Sequence, residues 1–408
     1  MLEEVVFRIR YKRIKLFEAI KAFRFPIILG ISMRVGYSLW MALIWYMVDG
    51  YFPLTEKALH ETYYQLSRST TLLGRSFIDV WLRWDAVHYM NIAELGYQGV
   101  GKEETVFFPL YPYTVGFLSH ITSINVTLVG ILVSSFFTIL ALICLYDLVL
   151  LQFKDENLSK LSTLLFALYP TSFFLHAPFT DAMFMFFTIS SILMMEKREY
   201  MAAGILGCLA GLTRAQGALL LIPMFVYFIQ DYWIDKKPIQ WSRIIAMALI
   251  PLGTCAYILW RVYCGAPDII TSYKHFSGVI FQGPFTNLIK SALVIPRDPS
   301  YSRITEVISA VLFLAILIWM FSRKEFRKHI GIMLYCATTW ILIISKSGVS
   351  GYGLQCVNRY VIHIFFAFVG LAFLIKDLPV RVKKFTKIGL ILFNLINLML
   401  YSFWIFIG

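Results

Sequence analysis

The chain has 408 residues, of which 59% are hydrophobic, 17% aromatic and only 15% charged. A soluble globular chain has roughly 45–50% apolar and 25% charged residues, so this balance excludes one. The net charge of +13 points to membrane topology and away from nucleic acid, because the basic residues fall at the ends of apolar runs.

A helical span needs about 20 mostly apolar residues, and about eleven such stretches can be marked, which gives an all-α polytopic membrane protein. No composition break or short-period repeat divides it, so residues 1–408 read as a single domain. Arg8, Arg10, Lys12, Arg13, Lys15, Lys21 and Arg24 precede the first run, Pro26 to Val48, and place residues 1–25 in the cytoplasm. The run has no small-x-small cleavage site and is read as a span. Residues 49–124 follow as a first external loop, with juxtamembrane helices around Thr55 to Ser69, from Ile78 to Leu95, and after Phe107. Trp81 and Trp84 suit the headgroup level there.

Val126 to Leu151 then runs inward, Leu161 to Pro178 outward and Asp181 to Met195 inward, with Lys154, Lys160, Lys197 and Arg198 inside. A short Ala202 to Leu212 and a return through Ala215 to Gln230 bring Lys236, Lys237 and Arg243 inside as well. Ile244 to Tyr263 leads to a second external loop, residues 264–303, and Ile304 to Phe321 returns to Arg323, Lys324, Arg327 and Lys328. Gly331 to Ser345, Tyr360 to Ile375 and Ile388 to Ile407 complete the set. Lys274, Lys290, Arg297 and Arg303 in the second loop run against the charge rule; they bind a phosphate or sit in a loop long enough to be weakly constrained. Cys144, Cys208, Cys255 and Cys336 lie inside apolar runs as small hydrophobes, while Cys264 and Cys356 lie near loops where a disulfide is an option.

Four polar clusters interrupt this pattern, all on the external face of a topology drawn from charge flanks alone. The first is RWDAVHYMNIAELGY, Arg83 to Tyr97. On a helix Asp85 shares a face with His88 and Tyr89, an acid/base pair at a membrane surface or a polar face turned to water. The second is LYPTSFFLHAPFTDAMF, Leu168 to Phe184, in which Pro170 and Pro178 suit a turn and Asp181 stands at a span end. The third is GLTRAQG, where Arg214 is costly unless it meets an anion, either a phosphate or Asp181. The fourth, KSGVSGYGLQCVNRY, is glycine-rich and carries Lys346 and Arg359; its glycines permit close approach to a ligand or simply form a loop. Asp85, His88 and Asp181 are the candidate catalytic groups. Arg83, Tyr89, Glu94, His176, Arg214, Gln216, Lys346, Asn358, Arg359 and Tyr360 are the candidate substrate-binding groups.

WDAVHYMNIAELGY, FFPLYP at Phe107 to Pro112, YPTSFFLHAPFTDAMF and GLTRAQG, in that order, resemble the glycosylphosphatidylinositol mannosyltransferases that add the second mannose, within the GT-C class. The second half resembles the family only in hydropathy and in the NRY at Asn358 to Tyr360. The resemblance implies a GT-C-like bundle that takes a sugar, mannose by inheritance, from a polyprenyl-phosphate donor on the non-cytoplasmic face, with a first-loop carboxylate, here Asp85, as the catalytic group. Two blocks depart from the family pattern: HAPFTD more often ends in Ser-Glu there, and the middle of TRAQG more often reads Ser-Asn. With the shorter chain, these departures imply a relative in the bacterial plasma membrane acting on another glycolipid or envelope glycan acceptor.

In that reading Asp85 takes the acceptor proton and configuration inverts. Arg214 and Arg359, with Lys346 or His88, meet the phosphate. No nucleotide-binding motif and no cofactor are expected, and a divalent metal held by Asp85 and Asp181 is left open. A lipid or sugar transporter, or flippase, is the alternative, and it calls for matched broken helices in two halves. A non-catalytic scaffold is a third.

Overall fold

The structure is a computed structural model that describes residues 18, 21–48, 69, 71–236, 238–277, 280–348, 353–405 and 407. Apart from Ser69, the surface helix expected around Thr55 to Ser69 lies outside the described residues, as do Arg8 to Lys15. The regular structure of the described residues is helical save for a two-residue antiparallel ribbon, Ile280–Phe281 against Lys346–Ser347, and an isolated bridge from Ser347 to Leu354. Among the described residues six helices are long and apolar enough to cross a membrane: Arg24–Val48, Val126–Phe153, Ala215–Ile234, Trp241–Tyr263, Tyr301–Ser322 and Val380–Ser402. The chain is an integral, multi-pass membrane protein.

The expected count of eleven is not reached by full-length helices, and the shortfall has a local cause. The run Leu161 to Pro178 is helical only to Ala167, because Pro170 bars Tyr169 from the helical region; a turn and a short 3-10 segment, Ser172–Leu175, follow. Such irregular backbone needs partners in a low-dielectric interior. Arg34 donates to the His176 carbonyl, Thr138 Oγ1 to that of Leu175, and Asn394 to that of Tyr169. Likewise Tyr360 to Ile375 is two pieces, Val357–His363 and Ala367–Ile375, bent by 88°. Asp181–Glu196, Tyr200–Thr213 and Ile330–Ile344 are continuous but shorter than a full span.

Val126–Phe153 is the centre of the bundle, packed by Arg24–Val48, Glu156–Ala167 and Asp181–Glu196. Tyr200–Thr213 continues this layer onto Trp241–Tyr263. That last contact is made by small residues: Gly204, Gly207 and Gly211 face Ala246, Ile250 and Thr254, and Gly253 faces the Cys208 backbone. Close approach of small residues is what holds helices together where lipid removes the hydrophobic driving force. A Cβ on Gly253 would overlap the Cys208 carbonyl oxygen, so Gly253→Ala should cost about 1–3 kcal/mol. A lowered unfolding midpoint in detergent checks this.

The up-and-down order puts residues 126, 181, 213, 263, 301 and 344 at one end of the bundle. The other end holds a separate set of ion pairs, Lys197 with Asp147 and Arg198 and Arg243 with Asp231. All six cysteines are free, so the Cys264–Cys356 disulfide does not form.

Candidate active site

Asp85 is the first residue of the helix Asp85–Leu95. The residue before it, Trp84, has φ 54° and ψ −130°, a strained backbone for a bulky side chain. Strain of this kind persists only where neighbours fix it, and here the Trp84 ring packs edge-on to Trp404 at 5.6 Å. The turn leaves the Asp85 carboxylate at a helix N-terminus, where the peptide dipoles favour negative charge. Its Oδ2 accepts from Arg359 Nη1 at 2.7 Å, and the side chain remains 35% exposed.

Asp181 likewise opens its helix, but it is sealed in, 1% exposed. Oδ2 takes both Nε and Nη2 of Arg359, at 3.1 and 2.7 Å, while Oδ1 takes Arg214 Nη1 at 3.0 Å and lies 2.9 Å from His363 Nε2. Arg359 thereby bridges the two carboxylates. A divalent ion shared by Asp85 and Asp181 would have to displace that guanidinium. Asp181, expected among the catalytic groups, has both oxygens occupied by other side chains and is placed to position Arg214 and Arg359. Thr180 extends the network, accepting from Arg214 Nη1 at 3.0 Å and bonding to Tyr89 at 3.2 Å.

The Tyr360 ring collects three cations: Lys346 Nζ lies 4.5 Å, Arg214 4.9 Å and Arg359 5.3 Å from its centroid. An aromatic face offsets part of the cost of gathering like charges. Lys346 also faces Tyr273 at 5.3 Å and has no carboxylate partner among the described residues. Burial, and next the charge of Arg214, push its ammonium down to about 8. The ribbon that carries Lys346 pairs it with Phe281, tying the second loop to this end of the bundle.

The other candidate residues are placed differently. His88 stacks on Phe107 with centroids 5.3 Å apart and its Nδ1 is 3.5 Å from Glu104, on the same helix as Asp85. Arg83 is buried, donating to the carbonyls of Asp79, Leu82 and Ser402. His176 is buried against Tyr37, and Glu94 lines a separate surface cleft with His120 and Asn125. Asn358 bonds to Thr305, Ser309 and the Ile407 carbonyl. Gln216 is half-buried in the turn after Arg214. Arg83 and Glu94 thus hold backbone and surface positions, while Asn358 is bonded to the helix Tyr301–Ser322 and adjoins Arg359 in sequence. His363, Thr180 and Tyr273 went unread in the sequence; of these only His363 carries a signal, its i, i+4 spacing from Arg359.

Comparison with known proteins bears on this geometry. Over 146 residues the chain is 33% identical to GPI alpha-1,6-mannosyltransferase 2 of Rattus norvegicus, covering 33% of this chain and 29% of that one. Over 189 residues it is 26% identical to GPI mannosyltransferase 2 of Schizosaccharomyces pombe, covering 45% and 40%. The match thus spans less than half the length of these relatives. Among solved structures, the apo oligosaccharyltransferase of Archaeoglobus fulgidus aligns at a TM-score of 0.45 and 12% identity, over 93% of this chain and 55% of that one. The family described as Mannosyltransferase (PIG-V) matches residues 38–261, more than half of the chain, a range that includes Asp85, Asp181 and Arg214 and stops short of Lys346 and Arg359. The chain belongs to the Mannosyltransferase (PIG-V) family.

Proposed function

We propose that this chain is an inverting GT-C hexosyltransferase that moves mannose from a polyprenyl-phosphate carrier to a hydroxyl of a lipid-linked or cell-envelope acceptor, on the non-cytoplasmic face. The observation that carries it is Asp85: the accessible carboxylate of a cluster that otherwise consists of buried cations and their counter-ion. Its Oδ2 is anchored by Arg359, which orients the group. The acceptor hydroxyl gives its proton to Asp85 as its oxygen bonds to the anomeric carbon. The bond from that carbon to the phosphate oxygen breaks on the opposite side, and polyprenyl phosphate leaves with the electron pair.

Charge supports a single-phosphate donor. Arg214, Arg359 and Lys346 face Asp85 and Asp181, a surplus of one positive charge, which matches the one negative charge of a phosphodiester better than the two of a sugar nucleotide. Lys346, which has no carboxylate partner among the described residues, is placed to meet it. The basic residues Lys154, Lys197, Arg198, Lys324 and Lys328, which flank the ends of helices opposite Asp85, support this sidedness. The transporter alternative calls for paired broken helices, and among the described residues a single long apolar pair is bent, Val357–His363 with Ala367–Ile375.

The test is transfer of labelled mannose in proteoliposomes. Transfer from polyprenyl-phosphate mannose to a glycolipid hydroxyl is expected; transfer from a sugar nucleotide alone, or transport without transfer, would overturn the reading. Mass spectrometry of envelope glycolipids from cells lacking the chain would identify the acceptor by a missing hexose.

Lys346 makes donor binding pH-dependent. Bound phosphate raises the pKa of the ammonium above its free value of about 8. Between the two values the complex holds more protons than the free chain, so affinity is full below pH 8 and falls by up to about tenfold per pH unit above it. Donor titrations from pH 6.5 to 9.5, read as roughly that range of proton uptake, check the sign, and Lys346→Met should flatten the profile.

A further inference from the structure

We infer that an apolar cleft ending at Asn358, between the Tyr301–Ser322 and Val380–Ser402 helices, holds the first isoprene units of the donor's prenyl chain. This rests on the transferase reading above. The cleft encloses about 270 Å³. Ile308, Leu312, Phe313, Phe368, Leu390 and Phe393 are among the apolar side chains that line it. Ile308 is 58% exposed on the outer face of a membrane-spanning helix, which leaves the mouth open to the bilayer.

Polar side chains also line the cleft, and several of them are already bonded to one another. Ser309 donates to Asn358 Oδ1 and bonds to Tyr169, Asn358 Nδ2 donates to Thr305, and Tyr301 donates to Asn397. A wall whose polar groups are satisfied among themselves has little to offer a glycan, since sugar hydroxyls would have to break those bonds. It suits hydrocarbon. The sequence neighbour of Asn358 is Arg359, which bridges Asp85 and Asp181. In the donor the prenyl chain begins at the phosphate ester oxygen itself, so a chain whose phosphate sits among these cations must start beside them. An acceptor's lipid anchor is separated from the reacting hydroxyl by at least one sugar and is under no such constraint. A second apolar cleft, lined by Met33, Tyr37, Trp40 and Leu395, encloses about 480 Å³ on the other flank of Val380–Ser402, but none of its lining residues belongs to or adjoins the charge cluster.

The test uses the full chain in nanodiscs with polyprenyl phosphate bearing a diazirine on the isoprene next to the phosphate and no sugar. Labelling of the Tyr301–Ser322 segment, displaced by excess unlabelled polyprenyl phosphate, is the expected result. Labelling confined to Arg24–Val48, or labelling of Tyr301–Ser322 that polyprenyl phosphate does not displace, overturns the proposal. In a second measurement Ile308→Trp, at the exposed mouth, should raise the KM for polyprenyl-phosphate mannose about tenfold with kcat retained, the equivalent of roughly two methylenes denied burial; an unchanged KM also overturns it. The two readings fail separately. Displaceable labelling in a chain that transfers nothing removes the transferase and keeps the cleft, while transfer by a chain whose cleft stays unlabelled removes the cleft and keeps the transferase.

Discussion

Asp85→Asn should lower kcat for mannose transfer about 10²–10⁴-fold, the usual contribution of a positioned general base. Asparagine keeps the size of the side chain and an oxygen for Arg359 Nη1, so the helix N-terminus and the cation cluster stay in place. Donor KM should hold or fall, because the substitution removes a negative charge from a site that binds a phosphate. The measurement is initial rate against donor concentration in proteoliposomes, alongside the unfolding midpoint. A variant with the wild-type rate would remove Asp85 as the base. A variant that loses rate and midpoint together would make it a structural residue, which its 35% exposure argues against.

The sequence reached the site unevenly, and the reasons are physical. Arg214 with Asp181 was legible as one of two options, because a charge beside an apolar run must meet an opposite charge or a ligand. The bridge from Arg359 to Asp85 joins residues 274 positions apart, and no local spacing encodes such a contact. His363 lies in the apolar stretch VIHIFF and reads as a core histidine until Asp181 is placed beside it.

Arg83 and His176 are a different case. Both are rare residue types in an apolar context and so read as substrate ligands. Arg83 donates to the carbonyls of Asp79 and Leu82, in the break before Asp85, and to that of Ser402, while the His176 ring is buried against Tyr37 and its carbonyl receives Arg34. Where helices break inside a membrane protein, polar side chains serve the backbone first. The same breaks, at Pro170 and between His363 and Ala367, account for a hydropathy count of spans that full-length helices do not match. They are also what brings Asp181 and Arg359 to one place.

Asp181→Asn should behave unlike Asp85→Asn. It leaves Arg214 and Arg359 buried around one Tyr360 ring with Asp85 as the remaining carboxylate of the cluster. Breaking a buried pair by removing one partner typically costs about 3–5 kcal/mol, because the charge left behind is uncompensated. The expected result is a large fall in the unfolding midpoint together with loss of transfer. Arg214→Met should also destabilise, by leaving Asp181 with one guanidinium instead of two. The double variant should cost less than the sum of the two, since it removes one charge of each sign from the same contact. Unfolding of Asp181→Asn at the wild-type midpoint would show that its carboxylate does not hold the cluster together, and the division of labour between the two aspartates would have to be redrawn. Additive losses in the double variant would separate Arg214 from Asp181 energetically and leave Arg359 as its sole guanidinium partner of consequence.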